Sequence, residues 1–458
     1  MSTTSPLSSL SDALASSGSG STSSTTGLGQ GINVQQFVQF AVANQTAAIT
    51  ALQTQQTTLG SQAGEIATIT SDLSSLDNAA AALNDPLGAL AAQTATSSNS
   101  AVVGATASST AASGSHSIIV TSLATTSSYY TNELSGAATI TPGTFNIQVG
   151  SSAPTTITVN STDNTLGQLA ASINNQNAGV TASVIQDANG SRLALVSSTS
   201  GLPGDLTVSG NTAGLTFTKA VAGTNAALQV DGIPISSASN TVSNVINGVT
   251  LSLGSPSAAS VTVNVSPDTT QATTAINTFV TAYNTVVSEI NNQFNVNSDG
   301  SGGGVLETDN SLRDAQSQLL GAISYSISGN NGAVNLASIG INLNNDGTLT
   351  VDSGALSTAL SSNYSAVQNL FQNATAGFSQ NLHSVINNLT APTNGILTLD
   401  SQSVTSSAQS LTQQISDLQA ALAVQEQNLT TVYSQVNATL QELPLLLSQT
   451  TQQLAAIG

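Results

Sequence analysis

Two short loops carry oxygen-bearing side chains at alternate positions followed by glycine, the pattern with which a calcium loop wraps its ion. They are Asn295-Val296-Asn297-Ser298-Asp299-Gly300 and Asn342-Leu343-Asn344-Asn345-Asp346-Gly347. Both lack the bidentate glutamate that such a loop needs at its twelfth position, where Leu306 and Ser353 stand. No metal is therefore expected, and Asp346-Gly347 reads as a hairpin turn. Nucleophilic catalysis fares no better. Serines are abundant, but a serine needs a base, and neither His116 nor His383 lies in a nucleophile motif. Two histidines and no cysteine also exclude thiolate and multi-histidine metal centres. Gly27-Leu28-Gly29-Gln30-Gly31 mimics a nucleotide loop but follows no strand and has the wrong third-glycine spacing. Glu307 and Asp309 suit the start of a helix, where carboxylates complement the helix dipole. The expected protein is not an enzyme and has no cofactor.

Composition narrows the partners. Of 458 residues only 5% are charged, and Arg192, Lys219 and Arg313 face 22 acids for a net charge of -19. Nucleic acid and anionic membranes are excluded as partners, because phosphate contacts need clustered cations. No apolar stretch approaches a membrane span, and no basic and apolar leader opens the chain. The length predicts about three domains.

Lacking chemistry, the chain must act through shape, and its clearest pattern is helical. Val404, Leu411, Leu418, Gln425 and Val432 form one row of sevens, while Ala408, Ile415, Leu422, Leu429, Val436 and Leu443 form the other. Near the opposite end, Leu52, Leu59, Ile66, Leu73 and Ala80 interleave with Ile69, Leu76 and Leu83. Two such seams predict an antiparallel coiled coil between the two ends of one chain, with the middle held out as a separate body. Residues 90–395 are expected to fold without these helices. Pro444 removes a backbone donor, so the last helix is expected to kink or end there and leave Leu445 to Ile457 as a separate leg.

Between the seams the period changes. Residues 1–32 are Ser/Gly-rich and read as a disordered segment, and 33–87 as N-terminal helices with Asn33 as N-cap. Residues 88–138 and 225–267 alternate as two parts of one β-rich domain. Residues 139–224 read as a second β-rich domain inserted into it, with Asn189-Gly190 as a hairpin turn. Pro234 marks an edge or bulge. Residues 268–399 return to helical spacing, and 400–458 carry the C-terminal coiled-coil helix. The fold class is α+β multidomain, with a coiled-coil leg, a helical domain and two nested β-rich head domains.

Several separated motifs resemble one family. Gly27-Leu28-Gly29-Gln30-Gly31 before a short apolar helix and a long Gln/Leu-rich helix ending near Asn84-Asp85-Pro86 is similar to the amino terminus of flagellar filament-cap proteins, the hook-associated protein 2 family. Gly114 to Ala124, Leu228 to Ile235, Asn244 to Leu251 and Ile339 to Phe371 also match that family's pattern, and Ile173-Asn174 and Arg192-Leu193 match a module of flagellar axial proteins. The resemblance implies a secreted homo-oligomer, commonly a pentamer, at the filament tip, where it helps flagellin insert and prevents its loss. It further implies delivery by the flagellar export apparatus with an export chaperone. An alternative from another class is a surface adhesin that binds host glycan or mucin through its β-rich head, for which Tyr129-Tyr130 is the candidate aromatic platform.

Overall fold

The structure, a computed structural model, describes residues 33–135, 138–162, 164–295 and 303–457. The expected disordered segment 1–32 and most of the first calcium-like loop lie outside the described residues. Helix α1 (Val34–Asn84) starts at Asn33, whose side chain accepts a hydrogen bond from the Gln36 N–H. It runs unbroken for 51 residues, where a short helix followed by a long one was expected. Nothing between Val34 and Asn84 forces a break, since no proline intervenes and the glycines are isolated. Threonines such as Thr46, Thr50 and Thr54 donate to the carbonyl one turn back. The helix stops where Asp85 precedes Pro86, a position that disfavours helical backbone.

Strands β1 (Gln93–Ser97), β2 (Val103–Ala107), β3 (Gly114–Ser122) and β4 (Thr126–Thr131) follow. Then come β5 (Gly143–Val149), β6 (Thr155–Val159), helix α2 (Leu166–Asn175), β7 (Val180–Gln186), β8 (Ser191–Ser200), β9 (Leu206–Ser209) and β10 (Phe217–Val221). The last group is β11 (Ala226–Val230), β12 (Ile233–Ser237), β13 (Thr241–Ile246), β14 (Val249–Leu253) and β15 (Ser257–Pro267). A sheet ordered β1-β15-β3-β11-β12 and a sheet ordered β13-β14-β2 bury one cluster that includes Ile118, Leu228, Leu251 and Val263. Pro234 lies in β12, an edge strand of the first sheet, where its missing N–H costs no ladder bond.

Sheets β10-β4-β8-β7 and β6-β5-β9 enclose a second cluster around Phe145, Ile157, Leu193 and Leu195, sealed by α2. Because β4 pairs with β8 and β10, the chain leaves the first sheet near Ala124 and not at residue 138. Strand alternation alone hid this, since it says which face a residue takes and not which sheet. The crossing is pinned by Asn240, whose Oδ1 accepts from Ala124 N–H at 2.7 Å and whose Nδ2 donates to Ala124 O at 3.0 Å. The returning strand lies beside it, with Thr125 Oγ1 and Thr224 Oγ1 2.8 Å apart.

Beyond Pro267 come α3 (Thr269–Phe294), α4 (Asn310–Ile323), the hairpin β16 (Ile341–Leu343) and β17 (Leu349–Val351), α5 (Ser353–Ser362), α6 (Tyr364–Gln372), α7 (Phe378–Thr390) and α8 (Ile396–Ile457). Asp268, Asp309 and Asp352 cap α3, α4 and α5, each accepting from backbone N–H groups of the first turn. Phe378 meets Phe279 and Phe371 edge-on at 5.5 and 5.7 Å. The same core holds Ile66, Ile69, Leu73, Leu76 and Leu83 of α1. The N-terminal helix is therefore part of the helical body, which 90–395 would lack. Helix α8 passes through Pro444 without interruption, so the separate leg expected after it is not formed. The surrounding helix is exposed, so the carbonyl that loses its donor is open to solvent.

Two outcomes follow. A fragment of residues 90–267 folds as a β-rich body, whereas 90–395 adds little helical signal by circular dichroism because its helical core is open. Asn174 Oδ1 accepts from Ala182 N–H at 2.7 Å and its Nδ2 donates to Ala182 O at 2.9 Å, closing the free edge of β7. Asn174→Ala should destabilise the inserted module by about 1–3 kcal/mol in urea titration.

Candidate interaction surface of the terminal helices

The two long helices run antiparallel. Phe37 stacks near Tyr433 with ring centroids 5.8 Å apart, Gln45 Nε2 donates to Gln425 Oε1 at 3.0 Å, and Gln56 Nε2 donates to Thr412 Oγ1 at 2.6 Å. Partner numbers fall along α8 as they rise along α1, which fixes direction and register. On α1, Val38, Val42 and Ile49 are buried, Leu52 and Leu59 half-buried, and Ile66 and Leu73 lie inside the helical body. On α8, Leu411 and Ile415 are buried and Leu422 and Leu429 half-buried.

Other seam positions of α8 turn outward. Leu418 and Val436 are each 43% exposed, Leu443 46% and Val432 52%, while Gln425 of the first row stays half-buried together with Tyr433 and Leu440, which lie outside both rows. A straight helix drifts by about 20° per heptad relative to a strict repeat of sevens, so a seam written in sevens rotates out of contact unless the pair supercoils. Past Leu440 every described side chain of α8 is exposed. There Leu443, Leu445, Leu446, Leu447 and Leu454 are exposed, the kind of contiguous apolar surface that marks interaction sites.

The polar side chains that the sequence singled out have structural partners. Asp346 Oδ1 accepts from the N–H and Oγ1 of Thr348, so its carboxylate closes the hairpin turn. Among the described residues no group of three His, Cys, Asp or Glu is placed to hold a metal. Each histidine has an acid partner that the sequence did not reveal, because the pairing residues lie far apart in the chain. His116 Nδ1 is 2.8 Å from Asp231 Oδ2, and His383 Nδ1 is 2.8 Å from Asp77 Oδ1. The His116 hydrogen bond, with the Ser117 N–H, holds the Asp231 carboxyl below its usual range. Arg192 pairs with Glu133 at 2.7 Å and Lys219 with Asp205 at 2.9 Å. Tyr129 and Tyr130 take opposite faces of their strand. Tyr129 packs on the inserted core under Lys219, and Tyr130 lies outside under Arg192. They form no common aromatic platform.

The seam separates two otherwise similar leucine-type positions. Ile415→Asp places a charge against buried apolar surface and should lower the melting of the helix pair, costing more than about 2 kcal/mol. Leu418→Asp should change stability by less than about 0.5 kcal/mol, read by circular dichroism melts of the two variants.

Three segments match known families. Residues 30–127 match the flagellar hook-associated protein 2 N-terminus, residues 223–444 its C-terminus, and residues 144–199 the flagellin hook IN motif. The B-type flagellar hook-associated protein 2 of Pseudomonas aeruginosa is 32% identical over 69% of this chain and 72% of its own length. The flagellar hook-associated protein 2 of Escherichia coli is 28% identical over 75% of this chain and 79% of its own. The crystal structure of the D1-D2-D3 domains of the Escherichia coli flagellar cap protein superposes with a TM-score of 0.59 at 28% identity, covering 74% of this chain and 99% of that one. With both ends and the inserted module matched in order, and the fold shared across the three regions, the chain belongs to the flagellar hook-associated protein 2 family.

Proposed function

We propose that this chain caps the bacterial flagellar filament, seated at its tip, where it promotes the insertion of flagellin and prevents its loss. The observation that carries this reading is the division of labour along α8. Its first part is consumed by α1, while its last part presents leucines 443, 445, 446, 447 and 454 with no described partner. A helix with such a row is suited to an apolar groove on another protein, and in a filament cap that protein is flagellin. The nested β-rich units then form a plate and the helical body the contacts between copies. The cap is a homo-oligomer, and by resemblance a pentamer. With three cations against 22 acids, contacts between copies rest on apolar and neutral polar groups. The chain reaches the tip through the flagellar export apparatus, held beforehand by an export chaperone. The mechanism is steric and conformational and uses no catalytic centre.

Replacing Leu445, Leu446 and Leu447 together by serine leaves the head and helical body intact, because all three are exposed. Cells carrying this variant should release unpolymerised flagellin into the medium at the level of a deletion strain and carry short filaments. Filaments of normal length, with a variant shown to be exported, would remove the distal helix from the mechanism.

A further inference from the structure

Where the two long helices meet the helical body, carboxylates face carboxylates. Asp400 lies in the second turn of α8, its Oδ2 buried without a hydrogen-bond partner, and the acid whose charge it feels is Asp309, the N-cap of α4. At the root of α1 the geometry repeats. The Nε2 of Gln293, itself buried, donates to Glu65 Oε2 of α1 at 3.3 Å and to Glu289 Oε1 of α3 at 3.4 Å, which draws those two acids together. Asp72, two turns further along α1, stands in the field of the same Glu289.

The surrounding charges do not neutralise these groups. From α4, Arg313 donates to Glu307 O at 2.6 Å and lies over the Phe294 ring, while Asp314 accepts from Gln318. From α7, His383 is held by Asp77 of α1. None of the described Lys, Arg or His side chains is within 4.0 Å of Glu65, Asp72, Glu289, Asp309 or Asp400. Two adjacent carboxyl groups without a cation are stable when they share one proton and repel when both are ionised.

We propose that Asp400 and Asp309 form a proton-sharing joint that fastens the root of α8 to the helical body as the medium acidifies and loosens it as the pH rises, with Glu65 and Glu289 doing the same for α1. The joint stands independently of the capping role. Burial, the charge of Asp309 and the hydrogen bond to it raise the Asp400 carboxyl from 3.8 to about 6. Burial first, and then Glu289, push Glu65 and Asp72 upward as well. A carboxyl whose folded-state pKa is raised binds its proton more tightly folded than unfolded, so it adds stability as pH falls through about 6 and adds none above about 7. The sign is opposite for Asp231 in the head, whose depressed value makes its contribution vanish in acid.

Hydrogen exchange on the full-length protein tests the joint. After correction for intrinsic rates, amides of residues 396–411 should be roughly tenfold better protected at about pH 5 than at about pH 7.5, the partial exposure of Asp400 keeping the effect below its full linkage value. Asp400→Asn should make this protection independent of pH. Asp309→Asn, which keeps a good N-cap residue, should do the same while preserving α4. Wild-type protection that is equal at both pH values would overturn the proposal, and so would an undiminished pH response in both variants. Peptides from the β-rich head serve as the internal reference.

Discussion

The contact on which the rest of the molecule depends is the burial of one face of α1 in the helical body. Ile69, Leu73, Leu76 and Leu83 are wholly buried there. Each such side chain contributes roughly 1.5–3 kcal/mol on leaving water. That anchor brings the first described helix to the last one. It lets a narrow apolar seam hold two helices of 51 and 62 residues together, although the part beyond the body has few fully buried positions. It also accounts for the nested layout, because a chain whose ends are joined must carry everything else as an excursion between them.

Scarcity of charge leaves a second constraint, and side-chain amides answer it. Asn174 clasps both backbone groups of Ala182, Asn240 those of Ala124, and Asn284 those of Leu349. In each case one carboxamide supplies a donor and an acceptor to a strand end or edge that has no further strand to pair with. Buried Asn330 similarly donates to Ala333 O and Ala366 O. These bonds are neutral, so they do not change with pH or salt as ion pairs do.

Much of this was legible in the sequence, and the rest was not for identifiable reasons. Heptad rows at the two ends announced an antiparallel pair, because helical periodicity is local. They could not place Leu418 and Val436, whose exposure depends on whether the pair supercoils. Pro444 marked a lost donor, but whether a helix breaks there is decided by what surrounds it. The insertion was visible, while its first boundary was not, since alternation does not name the sheet to which β4 belongs. Pairings such as His383 with Asp77 and Arg192 with Glu133 span long stretches of chain and carry no local signature. Ile173-Asn174 stood out by resemblance, and only the geometry explains it: isoleucine fills the core while asparagine closes an edge.

Thr125 and Thr224 lie side by side, with the Thr125 N–H donating to Thr224 O at 2.9 Å. The inserted module thus leaves and rejoins its host through two adjacent strands. A unit attached at neighbouring points can be lengthened, shortened or exchanged without shifting the register of the sheets below it. Changes of length or sequence in this module can therefore accumulate without disturbing the pair of long helices.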